Sequence, residues 1–297
     1  MIGQIAYLIA AHHQPDHLAK LIRLLDSPEC AFFIHIDAKV DESIFRESLQ
    51  ERSNVVFIRP RYEVSWGGFS VVRATLSLLS AAREANPFFQ RFCLLSGSDF
   101  PIKRNSHMLL ELGSAKEFMR VDRKLDPHQP NSHTRNVGFY WFMDHPAPEL
   151  RALSGKITRQ PYERVVLYHG SAWWVLTRDC VEYILGFLAS NSGFCSFFEH
   201  TFCPDEIMFH SIVKQSPFAL RLTHDFEAAP DQSEYFVSNE HGCHYIDWNT
   251  PSPTIPKVLD LENLDKLLHS RCLFARKVNE PQSAELIARL ENILAAD

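Results

Sequence analysis

Apolar residues in the first hundred positions alternate between two rhythms. Ile5-Ala6-Tyr7-Leu8-Ile9-Ala10-Ala11 is a continuous apolar run, the pattern of a strand covered on both faces. It stops at His12-His13. From Asp16 onward, Leu18, Leu21, Ile22 and Leu25 take up helical spacing. The pattern then repeats as a strand over Ala31–Ile36, a helix over Asp41–Gln50 and a strand over Val55–Ile58. A long amphipathic helix follows Trp66-Gly67-Gly68, with Val72, Leu76, Leu79 and Ala82 on one side. Phe92-Cys93-Leu94-Leu95 is a fourth strand, running into Ser96-Gly97-Ser98-Asp99-Phe100-Pro101-Ile102. Strand–helix alternation with short joints predicts an α/β fold: a mostly parallel, doubly wound sheet flanked by helices. Such sheets bind ligands beyond the carboxyl ends of their strands. His12-His13, Asp37 and Ser98-Asp99 all fall at ends of that kind.

The rhythm then weakens. Lys116–Val121 reads as a further strand, but residues 125–164 are rich in Pro, His, Asn and Arg with little periodicity, which predicts long loops around a site. Alternation resumes at Val165-Val166-Leu167-Tyr168 and continues through His169-Gly170-Ser171-Ala172-Trp173-Trp174-Val175-Leu176-Thr177-Arg178. A helix is expected over Asp179–Leu188, then an aromatic loop ending in Cys203-Pro204-Asp205-Glu206-Ile207-Met208-Phe209-His210. Tyr245-Ile246-Asp247-Trp248 reads as a late strand. Pro251, Pro253 and Pro256 mark a crossing segment, and helices are expected around Leu261–Leu268 and Ser283–Ala295.

Composition narrows the classes. A 297-residue chain with 45% hydrophobic and 22% charged residues has material for a sizeable core. A net charge of −6 and the lack of any Lys/Arg block argue against a nucleic-acid partner. The seven cysteines are odd in number and have no C-x-x-C spacing, which predicts free thiols in a reducing compartment. The N-terminus passes into a strand without a basic leader, and nowhere are there 18 consecutive apolar residues. A cytoplasmic protein without a transmembrane segment is expected, with peripheral membrane association left open.

The chemistry starts from two missing motifs. No Gly-x-Gly-x-x-Gly follows the first strand and there is no Walker A loop, so nucleotide-sugar transfer becomes the main use for the fold. There is also no Asp-x-Asp to hold a divalent metal on a diphosphate, and the 15 histidines form no recognised ligand spacing. A leaving diphosphate would then need fixed cations. Arg276-Lys277, with Arg271 close by, are candidates, although a solvated basic turn fits them equally well. Glu206 falls near the third position of a helix introduced by Pro204. Ordinary helix-start chemistry explains it, and so does a general base that deprotonates an acceptor hydroxyl. One carboxylate suffices for inversion by direct displacement, whereas a common retaining hydrolase needs two. Trp173 and Trp174, in a strand pattern, should face opposite ways, one into the core and one toward a sugar.

In order along nearly the whole chain, a set of segments resembles the core-2/I-branching β-1,6-N-acetylglucosaminyltransferases and peptide O-xylosyltransferases. They are Ile5-Ala6-Tyr7, His12-His13, His35-Ile36-Asp37-Ala38-Lys39, Trp66-Gly67-Gly68 and Ser96 to Ile102, then Gly170 to Arg178, Pro204-Asp205-Glu206, Tyr245 to Trp248 and Phe274-Ala275-Arg276-Lys277. The resemblance implies a single-domain GT-A-type fold, a UDP-sugar donor, inversion at the anomeric carbon, and neither a metal nor another cofactor. It divides the chain into a nucleotide-binding half (1–124), a loop-rich acceptor region (125–164) and an acceptor and catalytic half (165–297). It places the base on Glu206 and the diphosphate at Lys277 with Arg276. Ala11, His13 and Asp37 fall on the uridine side, with Lys39, Trp66, Gly67 and Asp99 also among the donor-binding positions. Trp173, Trp174 and Asp205 fall on the acceptor side. A second basic diphosphate ligand expected near the late strand is not obvious: either His244 or Arg271 substitutes, or the diphosphate is held more loosely. N-acetylglucosamine and xylose both stay open as the donor sugar, and a glycan, lipid-linked or peptide hydroxyl as the acceptor. Animal members carry a membrane anchor and disulfides; this chain resembles a bacterial-type member. The alternatives are a carbohydrate-binding protein that kept the fold without the reaction, and a nucleotide-sugar hydrolase.

Overall fold

The computed structural model describes residues 4–50, 52–126, 133–229 and 238–295. The first apolar run is strand β1 (Gln4–Ala11), paired in parallel with β2 (Cys30–Ile36) and β4 (Phe89–Ser96). β3 (Val55–Phe57) extends the sheet in parallel beyond β2. Side chains of β1 alternate between two cores. Ala6 and Leu8 enter one, with Val72, Leu78, Leu79 and Ala82 of the helix Ser70–Ala85. Ile5, Tyr7, Ile9 and Ala11 enter the other, with Leu18, Leu21, Ile22 and Leu25 of the helix Pro15–Leu25. Burial of each such Leu, Ile or Phe contributes about 1.5–3 kcal/mol before the entropy of ordering the chain is set against it. This two-sided burial is why β1 carries no polar residue between Ile5 and Ala11.

The second half breaks the parallel pattern. After β5 (Asp99–Pro101) come β6 (Glu117–Lys124), β7 (Tyr168–Gly170), β8 (Val175–Thr177) and β9 (Leu222–Asp225). The large sheet runs β3-β2-β1-β4-β8-β6-β7, with β9 also on β6. β8 lies antiparallel to both β4 and β6, so the two halves of the chain share one sheet. A smaller sheet is formed by β10 (Glu240–His241), β11 (His244–Ile246), β12 (Phe274–Arg276) and β5, in that order. The helix Arg178–Ser190 begins where the Thr177 hydroxyl accepts from the Cys180 amide, and buried Glu117 accepts in turn from that hydroxyl.

Local details depart from the sequence pattern. Trp173 and Trp174 precede β8 rather than lying in it. Pro204–Glu206 is a single 3-10 turn, broken at Ile207 before a separate helix, Met208–Lys214, so Glu206 does not sit within the first turn of an α-helix. The expected helix around Leu261–Leu268 splits into a 3-10 turn, Leu261–Asn263, and a helix, Leu264–His269. Within 125–164, residues 127–132 lie outside the described residues. The remainder is turns with two short helices, Thr134–Gly138 and Pro148–Arg151. All seven cysteines are unpaired thiols. Among the described residues, no helix is long and apolar enough to cross a membrane.

Candidate active site

Two glycines dock the loop that carries Glu206. Gly67 takes a positive φ of 73°, and a Cβ there would lie 2.5 Å from the Phe202 ring. With no side chain in the way, its carbonyl accepts from the Cys203 amide at 3.0 Å. A Cβ on Gly68 would meet the Asp144 carboxylate, which accepts from the Ser70 amide and hydroxyl at the start of the helix Ser70–Ala85. The Trp66-Gly67-Gly68 turn therefore joins three segments: its own helix, the 125–164 region and the loop before Glu206. Trp141 stacks on Phe202 at 4.5 Å, and Trp66 meets the same ring edge-on at 5.3 Å.

Glu206 lies in a cleft of about 500 Å³ whose lining includes Trp66, Trp173, Trp248, Asn136 and Asn249. Its carboxylate accepts from His169 Nε2 at 3.3 Å, and His169 Nδ1 lies 3.3 Å from Asp122 Oδ2. Asp122 is bonded at 2.7 Å by the Arg120 guanidinium. Burial alone would lower the pKa of His169, but the Asp122 and Glu206 carboxylates outweigh it and raise the imidazole to about 9. Burial also opposes charge on Asp122, yet His169 and Arg120 hold it below the usual carboxylate range. At Asp205 nothing comparable compensates. Burial first, and the charge of Glu206 second, push its pKa up.

A second cluster occupies the strand ends. His12 and His13 stack at 4.3 Å beyond β1. The Asp37 carboxylate accepts from the amides of Lys39 and Val64, and Lys39 Nζ bonds the Val64 carbonyl at 2.6 Å. The pKa of His12 is lowered by burial first, and the charges of His13, Asp37, Lys277 and Lys39 also act on it, so these five side chains share one neighbourhood. Lys277 is partly buried, and among the described residues its ammonium has no hydrogen bond or ion pair. Burial, then Arg276, lower its pKa. The two clusters meet at Trp173, whose ring lines the cleft while the Arg276 guanidinium lies 4.1 Å over it. Strand β11 pairs Ile246 with Arg276, which sets Trp248 and Lys277 just past one register position.

Several expected site residues turn inward. Trp174 is fully buried against Phe209, so it belongs to the core and not to an acceptor subsite. Asp99 is also fully buried. Its carboxylate is bonded by Arg276 at 2.8 Å and lies 3.4 Å from His244, contacts that hold its pKa down to about 2 against the effect of burial. Asp99 therefore anchors Arg276 and does not face a donor, and much of the Arg276 charge is already matched. The Ala11 methyl packs over Gly97 and its carbonyl accepts from the Asp37 amide, so it frames the strand edge. Gly67 is likewise a packing joint, and Asp205 is not among the side chains lining the cleft. His244 is fully buried beneath Trp173 and cannot replace a diphosphate ligand. Arg271 lines a larger groove of about 1160 Å³ that shares no residue with the Glu206 cleft. There Glu240 is held at about 2, chiefly by His224, and is no candidate base. The cleft thus adds Arg120, Asp122, His133 and His169, which sequence reasoning passed over. Arg-x-Asp on one face of a buried strand was the available signal.

The model of the Core-2/I-branching enzyme family matches residues 5–268 of this chain. The chain belongs to that family. Among its relatives, a Bos taurus β-1,3-galactosyl-O-glycosyl-glycoprotein β-1,6-N-acetylglucosaminyltransferase is 26% identical over 294 residues, covering 92% of this chain and 65% of the relative. Xylosyltransferase 2 of Bos taurus is 24% identical over 316 residues, covering 98% of this chain and 33% of the relative. The chain thus spans between about a third and two thirds of the length of these relatives. Among solved structures, the galactosyltransferase LgtC covers 99% of the chain at 10% identity, with a TM-score of 0.37, too loose a superposition to carry an argument. Family membership puts the paired clusters in context: the residues matched include both Glu206 and the strand ends at His13 and Asp37.

Proposed function

We propose that the protein is an inverting glycosyltransferase, of GT-A type, that moves a sugar from a UDP-sugar to a hydroxyl of a glycan or glycoconjugate. One observation carries this reading. Glu206 presents a partly exposed carboxylate to a cleft walled by Trp66, Trp173 and Trp248, and Lys277 of the strand edge has no hydrogen bond or ion pair among the described residues. Indole faces suit the C–H faces of a sugar, and an ionised carboxylate suits proton abstraction. In the reaction Glu206 takes the proton of the acceptor hydroxyl while that oxygen attacks the anomeric carbon. The bond from that carbon to the diphosphate oxygen breaks, and UDP leaves with the electron pair. Lys277 meets the charge that develops on it. Asp122 is locked between Arg120 and His169, which leaves Glu206 as the one available carboxylate among the described residues lining the cleft and favours single displacement over a double one. On the donor side, His13, Asp37 and Lys39 seat the nucleotide.

We further propose that no divalent metal takes part. Among the described residues, no group of three or more His, Cys, Asp or Glu side chains is arranged to hold one. The decisive experiment is a UDP-release assay over a panel of UDP-sugars, with and without acceptor glycans and with excess EDTA. Acceptor-dependent UDP release that survives EDTA is expected. Release without any acceptor would favour a hydrolase, and binding without release would favour a carbohydrate-binding protein. Rescue of a chelated enzyme by manganese would refute the metal-free step.

A further inference from the structure

The proposed reaction uses Glu206 but does not explain the histidine buried behind it. His169 reaches its place because β7 presses unusually close to β6. A Cβ on Gly170 would fall 2.0 Å from the Arg120 carbonyl, and the Ser171 amide donates to that same oxygen at 3.2 Å. Only glycine permits this approach. It delivers the imidazole between two carboxylates, 3.3 Å from Glu206 on one side and 3.3 Å from Asp122 on the other. The His169 side chain is 8% exposed and that of Glu206 is 31% exposed, so the base is gripped from behind with its remaining face in the cleft.

The surroundings leave His169 as the cation that faces Glu206. Asp205 and Asp122 both add negative charge nearby. The His133 ring lies 4.0 Å from His169, and His210 donates to the Ser171 carbonyl at 2.8 Å. Burial first, and the charge of His169 second, hold both at about 4, so they are neutral. His241, beside Arg120, is likewise kept neutral by burial first, and burial pushes the Cys203 thiol up. Arg123 acts on His133, and Arg120 is spent on Asp122. Among the described residues, His169 is the one cationic group in contact with Glu206.

We propose that His169, fastened by Asp122 and Arg120, is a positioning residue that holds the Glu206 carboxylate aimed at the acceptor hydroxyl. It holds its own proton throughout, and the proton of the acceptor ends on Glu206. This rests on the reading of Glu206 as the base.

The test is the pH profile of kcat/KM for wild type, His169→Asn, Asp122→Asn and Glu206→Gln, alongside UDP affinity and melting temperature. Wild type should show an alkaline limb near about 9, where His169 loses its proton. His169→Asn should lose that limb and lower kcat more than it raises donor KM. Asp122→Asn should shift the alkaline limb downward. Reduced activity or stability with the alkaline limb unmoved would show a merely structural histidine and overturn the proposal. If His169→Asn does not fold, the wild-type alkaline limb and its response to Asp122→Asn decide the matter. A Glu206→Gln enzyme that transfers at the normal rate would instead remove the base assignment, and this proposal with it.

Discussion

The strand edge proposed to hold the nucleotide and the Glu206 cleft are built in different ways. The edge is made of short extensions of neighbouring parallel strands: His12 and His13 after β1, Asp37 and Lys39 after β2. Each follows a buried strand by one to three residues, so forming the sheet delivers them. The cleft draws on β6, β7, the 3-10 turn at Pro204 and the segment after β11, and long-range contacts alone bring these together. Its polar residues are correspondingly costly. Asp122 and His169 are nearly inaccessible charges, tolerable only because each finds an opposite charge within about 3.3 Å. At the edge Lys39 is exposed and bonds the Val64 carbonyl, and Asp37, as buried as Asp122, is satisfied by the backbone amides of Lys39 and Val64 in place of an opposed pair of buried charges. The cleft spends stability on orientation, as a reacting carboxylate requires.

The contrast can be broken at several points. Glu206→Gln should leave UDP binding intact and lower turnover by roughly 100-fold or more, read from steady-state transfer assays. Equal loss of UDP binding would mean that the two regions are not separable. Lys277→Ala should act on the other side, lowering kcat/KM by about 100-fold with weaker UDP affinity by calorimetry. The adjacent tryptophans sharpen the division between core and site. Trp174→Ala should destabilise the fold by about 3–5 kcal/mol in denaturant titrations, as for other large buried side chains. Trp173→Ala should cost less stability but impair transfer, since its ring faces Arg276 and the cleft.

The smallest effect is a dependence of stability on pH. His169 has its pKa raised from 6.5 to about 9, so its contribution is fully present below pH 6.5 and is lost as pH rises through about 9. The melting-temperature difference between wild type and His169→Asn should therefore narrow across that window. A difference that stays constant from pH 6 to 10 would contradict the ion-paired histidine.

Much of the molecule was legible before any coordinates. The parallel strands were readable because burial on both faces demands unbroken apolar runs, as at Ile5 to Ala11. The residues after them followed from where such sheets bind ligands. The ordered motifs led to the family, and within it to Glu206. Roles inside the motifs were less legible. Trp174 and Asp99 lie in recognised segments yet face inward, because a motif records neighbours in sequence while a role depends on direction. His169 was legible only as one residue of an alternating stretch, since its partner Asp122 lies 47 positions earlier in the chain.

The sequence by itself determined the α/β alternation, the strand edge proposed to receive a ligand, and the family. These depend on local periodicity and on short segments, which the chain carries in consecutive residues. Only the tertiary structure decided which tryptophan faces the cleft, that Arg276 is engaged by Asp99, and that Glu206 is backed by His169, Asp122 and Arg120. Those outcomes depend on electrostatic and packing contacts across the sheet, where distances of about 3 Å join residues far apart in the chain.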